Sequence, residues 1–242
     1  MSDYAKGLEG VIANESALSR VEGLDGKLSY LGYDIDDLVE HCCFGEVTYL
    51  LLKGRLPNSK ELENFQRKLH QNRSLPPQVV DFIKAAPHDA SPMDVLRTGV
   101  SMLGLFDKRA KIGEPDHDEL YEAAISIIAR IPVIVAYYHR ARMGLELLPV
   151  RTDLNEAAHF LYMLNGQEPT EAAVKTLDIA YTMHADHGMN ASTFSARVTV
   201  ATLSDIYSGM TSAIGTLKGP LHGGANEGVI HMLEKIGSED KV

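Results

Sequence analysis

One histidine, His222, lies where a helix is expected to begin, and this position suits a group that stabilises an enolate. A Gly-Pro pair at 219–220 ends the preceding segment, and a Gly-Gly pair at 223–224 leaves the backbone uncrowded. From Ala225 an apolar pattern restarts at helical spacing. Free backbone N–H groups and the positive end of a helix dipole disfavour imidazolium. A neutral imidazole can donate to a developing enolate oxygen. The alternative is a glycine-rich helix start with an incidental histidine.

A second polar segment lies between apolar helical runs and groups side chains that bind or orient ligands. Residues 184–198 read HADHGMNASTFSARV. His184 and His187 form an H-x-x-H pair with an aspartate between them. Asn190 and Ser192 follow His187 by three and five residues, and neighbours of this kind fix the tautomer of a functional histidine. The segment therefore groups candidate functional histidines with side chains that could orient them.

Taken together, residues 184–198 and the sequence GPLHGGANE at 219–227 resemble the citrate synthase family. The segments LGYDI at 31–35 and EVTYLLLKGRLP at 46–57 are similar to the opening of the same family. The resemblance covers nearly the whole chain. It implies a mainly α fold, the multi-helical large domain of citrate synthases, with a short N-terminal β-hairpin.

The resemblance implies that acetyl-CoA is condensed with oxaloacetate and that citryl-CoA is hydrolysed to citrate and CoA, the entry step of the tricarboxylic acid cycle. This chemistry needs a base, a donor to the enolate oxygen, and groups that bind oxaloacetate. On the resemblance, His222 is the catalytic donor, His187 binds oxaloacetate, and Asn190 and Ser192 support the two imidazoles. No resident cofactor or metal is implied, since the CoA thioester is a substrate, and the partner is a second copy in a homodimer formed through the large helical domain.

The family's remaining groups lie downstream of the GPLHGGANE motif: a catalytic aspartate, a second histidine in a GxGHxxY-like motif, and carboxylate-binding arginines. We expect residues 1–221 to form the large helical domain and 222–242 to begin a small domain whose remainder is absent. The chain is then a truncated fragment that makes no citrate alone. After the motif, the histidine and acidic residues are His231, Glu234, Glu239 and Asp240, and none has the expected neighbours.

Other functions are open from the residues. Histidine is a common ligand of zinc and iron, and a metal site could use His184, His187 and His222. A hydrolase would need a G-x-S-x-G elbow, and a nucleotide-binding enzyme a Walker or Rossmann motif; neither is found. Within the family, a 2-methylcitrate synthase uses propionyl-CoA, whose acyl group is one methylene longer than acetyl. An apolar pocket separates the two substrates by only about 1–3 kcal/mol of binding free energy. A non-catalytic helical scaffold or regulatory subunit is the third class.

Composition favours a soluble globular protein without nucleic-acid or membrane partners. Of 242 residues, 45% are hydrophobic and 23% charged, and acidic residues exceed basic ones by 33 − 23 = 10. This charge argues against nucleic-acid and polybasic membrane binding. The apolar run 123–138 is broken by Arg130 and Pro132 and is shorter than the roughly 20 residues a membrane span needs. The first seven residues lack the pattern of a signal peptide, and the two adjacent cysteines suit a reduced compartment, so we expect a cytoplasmic protein.

Local patterns predict the elements that position these residues. Gly10–Glu22 and 27–31 are expected to form a hairpin around a tight Asp25-Gly26 turn. A capping box is predicted at Asn58 and Glu61, another at Asp153 and Glu156, and simple caps at Ser91 and Thr170. Long helices are expected over 118–143, bent at Pro132, and over 191–217.

The segment 206–217 combines apolar residues at helical spacing with two glycines, Gly209 and Gly215. Small residues allow two helices to approach closely, and an apolar helix with little charge must be covered. Either the chain's own core or a second subunit is expected to cover it.

Overall fold

The computed structural model describes residues 11–12, 14–114 and 116–238, and they form a mainly α fold with one small antiparallel sheet. The strands are β1 Ser19–Glu22, β2 Lys27–Tyr30 and β3 Tyr33–Asp34. The helices are α1 Ile35–His41, α2 Phe44–Lys53, α3 Ser59–Gln71, α4 Pro77–Ala85, α5 Pro92–Phe106, α6 His117–Arg142, α7 Glu156–Asn165, α8 Glu171–Met183, α9 Ala191–Ala201, α10 Ile206–Leu217 and α11 Gly224–Ile236.

The predicted hairpin is present, but its first strand is shorter and its turn longer than expected. β1 begins at Ser19 rather than Gly10, which itself lies outside the described residues. The reason is register: Ser19 pairs with Tyr30, the last residue of β2. Four residues, 23–26, join the strands instead of a two-residue turn, and Gly26 adopts φ +65°.

The third strand follows a turn that sequence patterns did not indicate. β3 pairs with β2 through Tyr30 and Tyr33, so Leu31 and Gly32 form a two-residue connection. Both have positive φ, 49° and 91°. Leucine rarely adopts this conformation. The side chain of Leu31 packs against the buried cluster of Tyr30 and its neighbours, which compensates for the unfavourable backbone.

Helix α6 is the central element of the fold. It contacts α3, α4, α5, α7 and α10, and its buried side chains contribute to three apolar clusters. By length and composition alone it is apolar enough to cross a membrane. Its packing against five helices identifies it as a core helix. Pro132 lies inside the continuous helix predicted for 118–143, and the bend expected at Pro132 stays a prediction.

Of the four predicted caps, Asn58 and Thr170 are confirmed by side-chain hydrogen bonds, and Ser91 lies at the N-cap of α5 without such a bond. The Asn58 side chain accepts from the Glu61 N–H, and Glu61 accepts in return from the Asn58 N–H. Thr170 caps α8. The box predicted at Asp153 was wrong: Asn155 caps α7 by accepting from the Ala158 N–H, while Asp153 forms an ion pair with Arg151.

The single helix predicted over 191–217 is interrupted. α9 ends at Ala201, and α10 begins after Asp205, whose side chain accepts from the N–H groups of Tyr207 and Ser208. Leu203 in the break has φ +63°. The chain thereby reverses, and α10 packs against α9 and α5. An acidic cap before an apolar run was the available signal.

The apolar face of α10 is largely covered by the same chain. Tyr207 and Ile214 are buried in the main core cluster, and Ile206 and Met210 pack against it. A Cβ at Gly209 would lie 2.8 Å from Cγ1 of Val200, so the glycine permits the close approach of α9. Within the described residues, the chain's own core therefore covers this helix.

A buried polar cluster joins the end of α3 to the start of α7. The Arg73 guanidinium is almost fully buried and donates to the carbonyls of Arg151 and Leu154, at 2.7 and 2.8 Å. It also lies 3.3 Å from a carboxylate oxygen of Glu156. His159, also on α7, is 2% exposed. Burial, and next the charge of Arg73, lower the pKa of His159 to about 3.

This histidine predicts a pH dependence of stability. Because the ordinary pKa of His159 is 6.5 and its folded pKa is about 3, the unfolded chain binds a proton that the folded chain excludes between these values. The free energy of unfolding should therefore fall as pH falls from 6.5, by up to about 1.4 kcal/mol per pH unit. Urea unfolding between pH 6.5 and 5 measures this slope. The range lies above the ordinary pKa of carboxylates, so their titration contributes little to it.

His159→Gln is expected to flatten that slope, since glutamine does not titrate. His88 is exposed, and His88→Gln is the matched control that should leave the slope unchanged. Equal slopes for the parent chain and His159→Gln would contradict the assignment.

Candidate active site

The structure brings together two sequence-predicted residues, Ser192 and His222, that are thirty positions apart. Ser192 lies in the first turn of α9, and its Oγ is 2.8 Å from Nε2 of His222. His222 is half-buried in the turn that joins α10 to α11. The contact occupies Nε2, so a hydrogen bond from this ring to a ligand would come from Nδ1.

Backbone hydrogen bonds shape the turn that carries His222. The Gly219 carbonyl accepts from the N–H of His222 at 3.0 Å and from the N–H of Gly224 at 3.2 Å. Gly223 precedes the first residue of α11. A Cβ at Gly223 would lie 2.6 Å from the Leu217 carbonyl oxygen, closer than real Cβ contacts. Only glycine therefore fits beside the histidine without a shift of the turn.

Gly223→Ala is accordingly expected to displace the turn and separate His222 from Ser192. Overpacking of this kind costs typically about 1–3 kcal/mol. Amide hydrogen exchange at His222 and Gly224 should become faster, because both N–H groups donate to Gly219. A Cβ at Gly228, within α11, meets nothing within 4 Å. Gly228→Ala is the control, and equal exchange in the two variants would contradict the steric argument.

Asn190 links the second predicted histidine to the start of α9. Its Oδ1 accepts from the Thr193 N–H at 2.9 Å and so caps the helix. Its Nδ2 lies 3.3 Å from Nε2 of His187, whose side chain is exposed. An amide NH₂ group can only donate, so Nε2 accepts and the neutral ring carries its proton on Nδ1. The arrangement leaves His187 a donor toward solvent or a ligand.

The other histidines considered from sequence are engaged elsewhere. His184 ends α8, and its Nδ1 is 2.7 Å from the Ala180 carbonyl oxygen. His231 lies on the exposed side of α11, 3.4 Å from Glu234. Within the described ranges no three His, Cys, Asp or Glu side chains are grouped as metal ligands.

Sequence reasoning missed the residues that hold the segment around His187. The Tyr30 hydroxyl donates to the Thr182 carbonyl at 2.9 Å, and Ser19 donates to the Asp186 carboxylate. Burial raises the pKa of Tyr30, so its hydroxyl stays protonated and able to donate. These pairs are separated by 152 and 167 positions, and no local pattern signals them.

Comparison with known proteins places this geometry in a family. The family model described as "Citrate synthase, C-terminal domain" matches residues 7–242. Citrate synthase 2 of Bacillus subtilis is 49% identical over 96% of this chain and 62% of its own length. The chain belongs to the citrate synthase family. The resemblance drawn from residues 184–198 and 219–227 is therefore confirmed.

Solved citrate synthases have the same fold. The Pyrobaculum aerophilum enzyme superposes with a TM-score of 0.92 at 39% identity, over 98% of this chain and 60% of that one. Citrate synthase of Thermoplasma acidophilum, in a ternary complex with carboxymethyl coenzyme A and oxaloacetate, gives a TM-score of 0.91 at 29% identity, over 98% of this chain and 62% of that one. The predicted mainly α, multi-helical citrate synthase fold is correct.

Two facts bear on the whole protein. This citrate synthase-family chain spans about 62% of the length of the B. subtilis relative. The 2-methylcitrate synthase of Shewanella oneidensis also matches, at 41% identity over 99% of this chain and 64% of its own length. The division into domains 1–221 and 222–242, and the roles assigned to His187, Asn190, Ser192 and His222, stay predictions.

Proposed function

We propose that this chain carries part of the active site of a citrate synthase, which condenses acetyl-CoA with oxaloacetate and hydrolyses citryl-CoA to citrate and CoA. The observation that carries the proposal is the 2.8 Å contact between Ser192 Oγ and His222 Nε2, in a chain of the citrate synthase family. A serine that donates to Nε2 leaves the proton of a neutral imidazole on Nδ1. Nδ1 can then donate to the carbonyl oxygen of the acetyl thioester.

The role of His222 follows from where charge develops. Removing a proton from the acetyl methyl group places negative charge on the thioester oxygen, and a donor fixed in advance stabilises that charge. The backbone bonds to Gly219 fix the turn, and Ser192 fixes the ring.

His187 is proposed to bind oxaloacetate. Its Nε2 accepts from Asn190, so its Nδ1–H points to the remaining side of an exposed ring. A donor there can bind a keto or carboxylate oxygen of a small dianion. The Thermoplasma acidophilum enzyme, whose fold this chain shares, holds oxaloacetate together with a coenzyme A derivative.

The remaining features of the proposal concern the whole protein. We propose a cytoplasmic homodimer formed through the helical domain, with the CoA thioester as a substrate and no resident cofactor. We also propose that the 242-residue polypeptide makes no citrate by itself. Among the described side chains after Glu227, His231 and Glu234 pair with each other on an exposed helix. Neither is suited to act as the base that deprotonates the acetyl group.

The test is CoA release from acetyl-CoA that depends on oxaloacetate. It is run on the 242-residue chain and on the product of the whole reading frame that encodes it. Activity of the latter with silence of the former supports the proposal in full. Enzymic rates from the 242-residue chain would refute the incomplete site. Silence of both would favour a non-catalytic helical scaffold.

A 2-methylcitrate synthase is the second candidate, and the 41% identity to the Shewanella oneidensis enzyme supports it. The same assay with propionyl-CoA decides between them. One methylene in an apolar pocket changes kcat/KM by about 10–200-fold. A ratio in favour of propionyl-CoA would replace citrate synthesis with 2-methylcitrate synthesis.

A further inference from the structure

Tyr30, the last residue of β2, binds the end of α8 and the backbone of Asp186. The side chain is fully buried. Its hydroxyl lies 2.9 Å from the Thr182 carbonyl oxygen and 3.2 Å from that of Met183, and it accepts from the Asp186 N–H at 3.3 Å. The last carbonyls of a helix lack partners within the helix. One hydroxyl thus satisfies the end of α8 and fixes the start of the segment that contains His187.

Asp186 provides a second connection between the sheet and this segment. Its Oδ1 accepts from the Ser19 hydroxyl on β1 and from the Gly188 N–H, the latter at 2.8 Å. Asp186 and Gly188 are the two neighbours of His187. The carboxylate therefore closes a small ring around the backbone of His187 and attaches that ring to β1.

The backbone at Gly188 brings β1 close to the segment. Gly188 has φ +88°, and a Cβ built there would lie 4.0 Å from Cγ2 of Val21. Ala185 packs against the buried cluster that includes Tyr30 and Leu38. Segment 184–190 therefore contacts the sheet through residues on both sides of His187, whose own side chain is exposed.

We propose that the β-hairpin of residues 19–30 is a positioning element for His187, and that it sets the affinity for oxaloacetate through Asp186 and Gly188. This rests on the proposed function, in which His187 binds oxaloacetate. Ser19 and Tyr30 act through the backbone and touch no substrate. The turn that carries His222 is held by Gly219 instead, so the hairpin should affect oxaloacetate and leave the CoA thioester unaffected.

Ser19→Ala tests this directly in the product of the whole reading frame. It removes one hydroxyl from the edge of a strand. Displacement of a binding group by about 1 Å costs up to 10²-fold. We expect the Kd for oxaloacetate, measured by calorimetry, to rise about 10-fold, with the Kd for CoA unchanged. Amide exchange at Gly188 should become faster in the same variant, since its N–H donates to Asp186.

Three further variants separate positioning from general support. Ser19→Thr keeps the hydroxyl and should restore the oxaloacetate Kd. Tyr30→Phe removes the other connection and should raise the same Kd. Arg20→Ala is the control, because Arg20 lies on the same strand with its side chain exposed and paired to Glu22.

The outcomes are distinct. A selective rise in the oxaloacetate Kd, rescued by Ser19→Thr, supports the proposal. Equal rises in the Kd values for oxaloacetate and CoA would overturn it. An unchanged oxaloacetate Kd in a variant whose amide exchange at Gly188 is faster would also overturn it. Binding needs no turnover, so a protein that binds oxaloacetate without releasing CoA refutes the proposed function while Ser19→Ala still tests the hairpin. A parent protein that binds no oxaloacetate overturns both.

Discussion

His222→Ala is expected to lower kcat for oxaloacetate-dependent CoA release by about 10²–10³-fold, the usual effect of removing one donor to a developing oxyanion. The substrate carbonyl carries little charge before proton abstraction, so the donor acts mainly in the transition state. The loss should therefore fall on kcat, with a small change in KM for acetyl-CoA. Steady-state kinetics on the product of the whole reading frame measures both.

The contact with Ser192 makes a graded test possible. Ser192→Ala removes the partner of Nε2 but leaves the imidazole, and supporting residues of this kind cost about 10–100-fold. The effect should be smaller than that of His222→Ala, and the double variant should lose little more than His222→Ala alone. His231→Ala is the matched control on α11, since His231 is exposed. A His222→Ala enzyme within a few-fold of the parent would contradict the assignment.

Arg73→Met is expected to be the most destabilising of the changes considered, at about 3–5 kcal/mol. Methionine fills much of the aliphatic volume but leaves the Glu156 carboxylate without its buried cation. It also leaves the carbonyls of Arg151 and Leu154 without their donor. A buried carboxylate that has lost the Arg73 cation and keeps only His70, 3.4 Å away, together with unpaired carbonyls, accounts for the loss. Urea unfolding at pH 7 measures it.

Two variants test the mechanism of this loss. The double variant Arg73→Met with Glu156→Gln removes the stranded charge and should recover part of the stability. Arg55 forms an exposed ion pair with Glu61, and Arg55→Met should be nearly silent because water screens such pairs. If Arg73→Met and Arg55→Met unfold at the same urea concentration, burial is not the cause.

Much of the fold could be predicted because the signals lie within four residues along the chain. The side chains of Asn58 and Glu61 each accept a hydrogen bond from the other's backbone N–H across one helical turn, and Thr170 reaches only to Ala173. Such contacts form wherever these residues adopt a helix, whatever surrounds them. The same locality explains why the polar segment 184–198 and the glycine-flanked His222 were found from sequence.

Predictions failed where packing outweighed local preference. Asp153 and Asn155 are both good caps, but Asn155 caps α7 while Asp153 forms an exposed ion pair with Arg151. Leu31 and Leu203 adopt positive φ, which local sequence disfavours. Leu203 lies in the break after α9, and α10 then turns back to pack against α9.

The sequence by itself determined the family, the mainly helical class and several helix starts, and it proposed His187 and His222 as donors to substrates. Only the tertiary structure decided their partners: Ser192 beside His222, Ser19 on Asp186, Tyr30 at the end of α8, and Arg73 buried against Glu156. These contacts join residues 30 to 167 positions apart. Chain entropy opposes each such contact alone, so they exist because the packed helices bring both partners together.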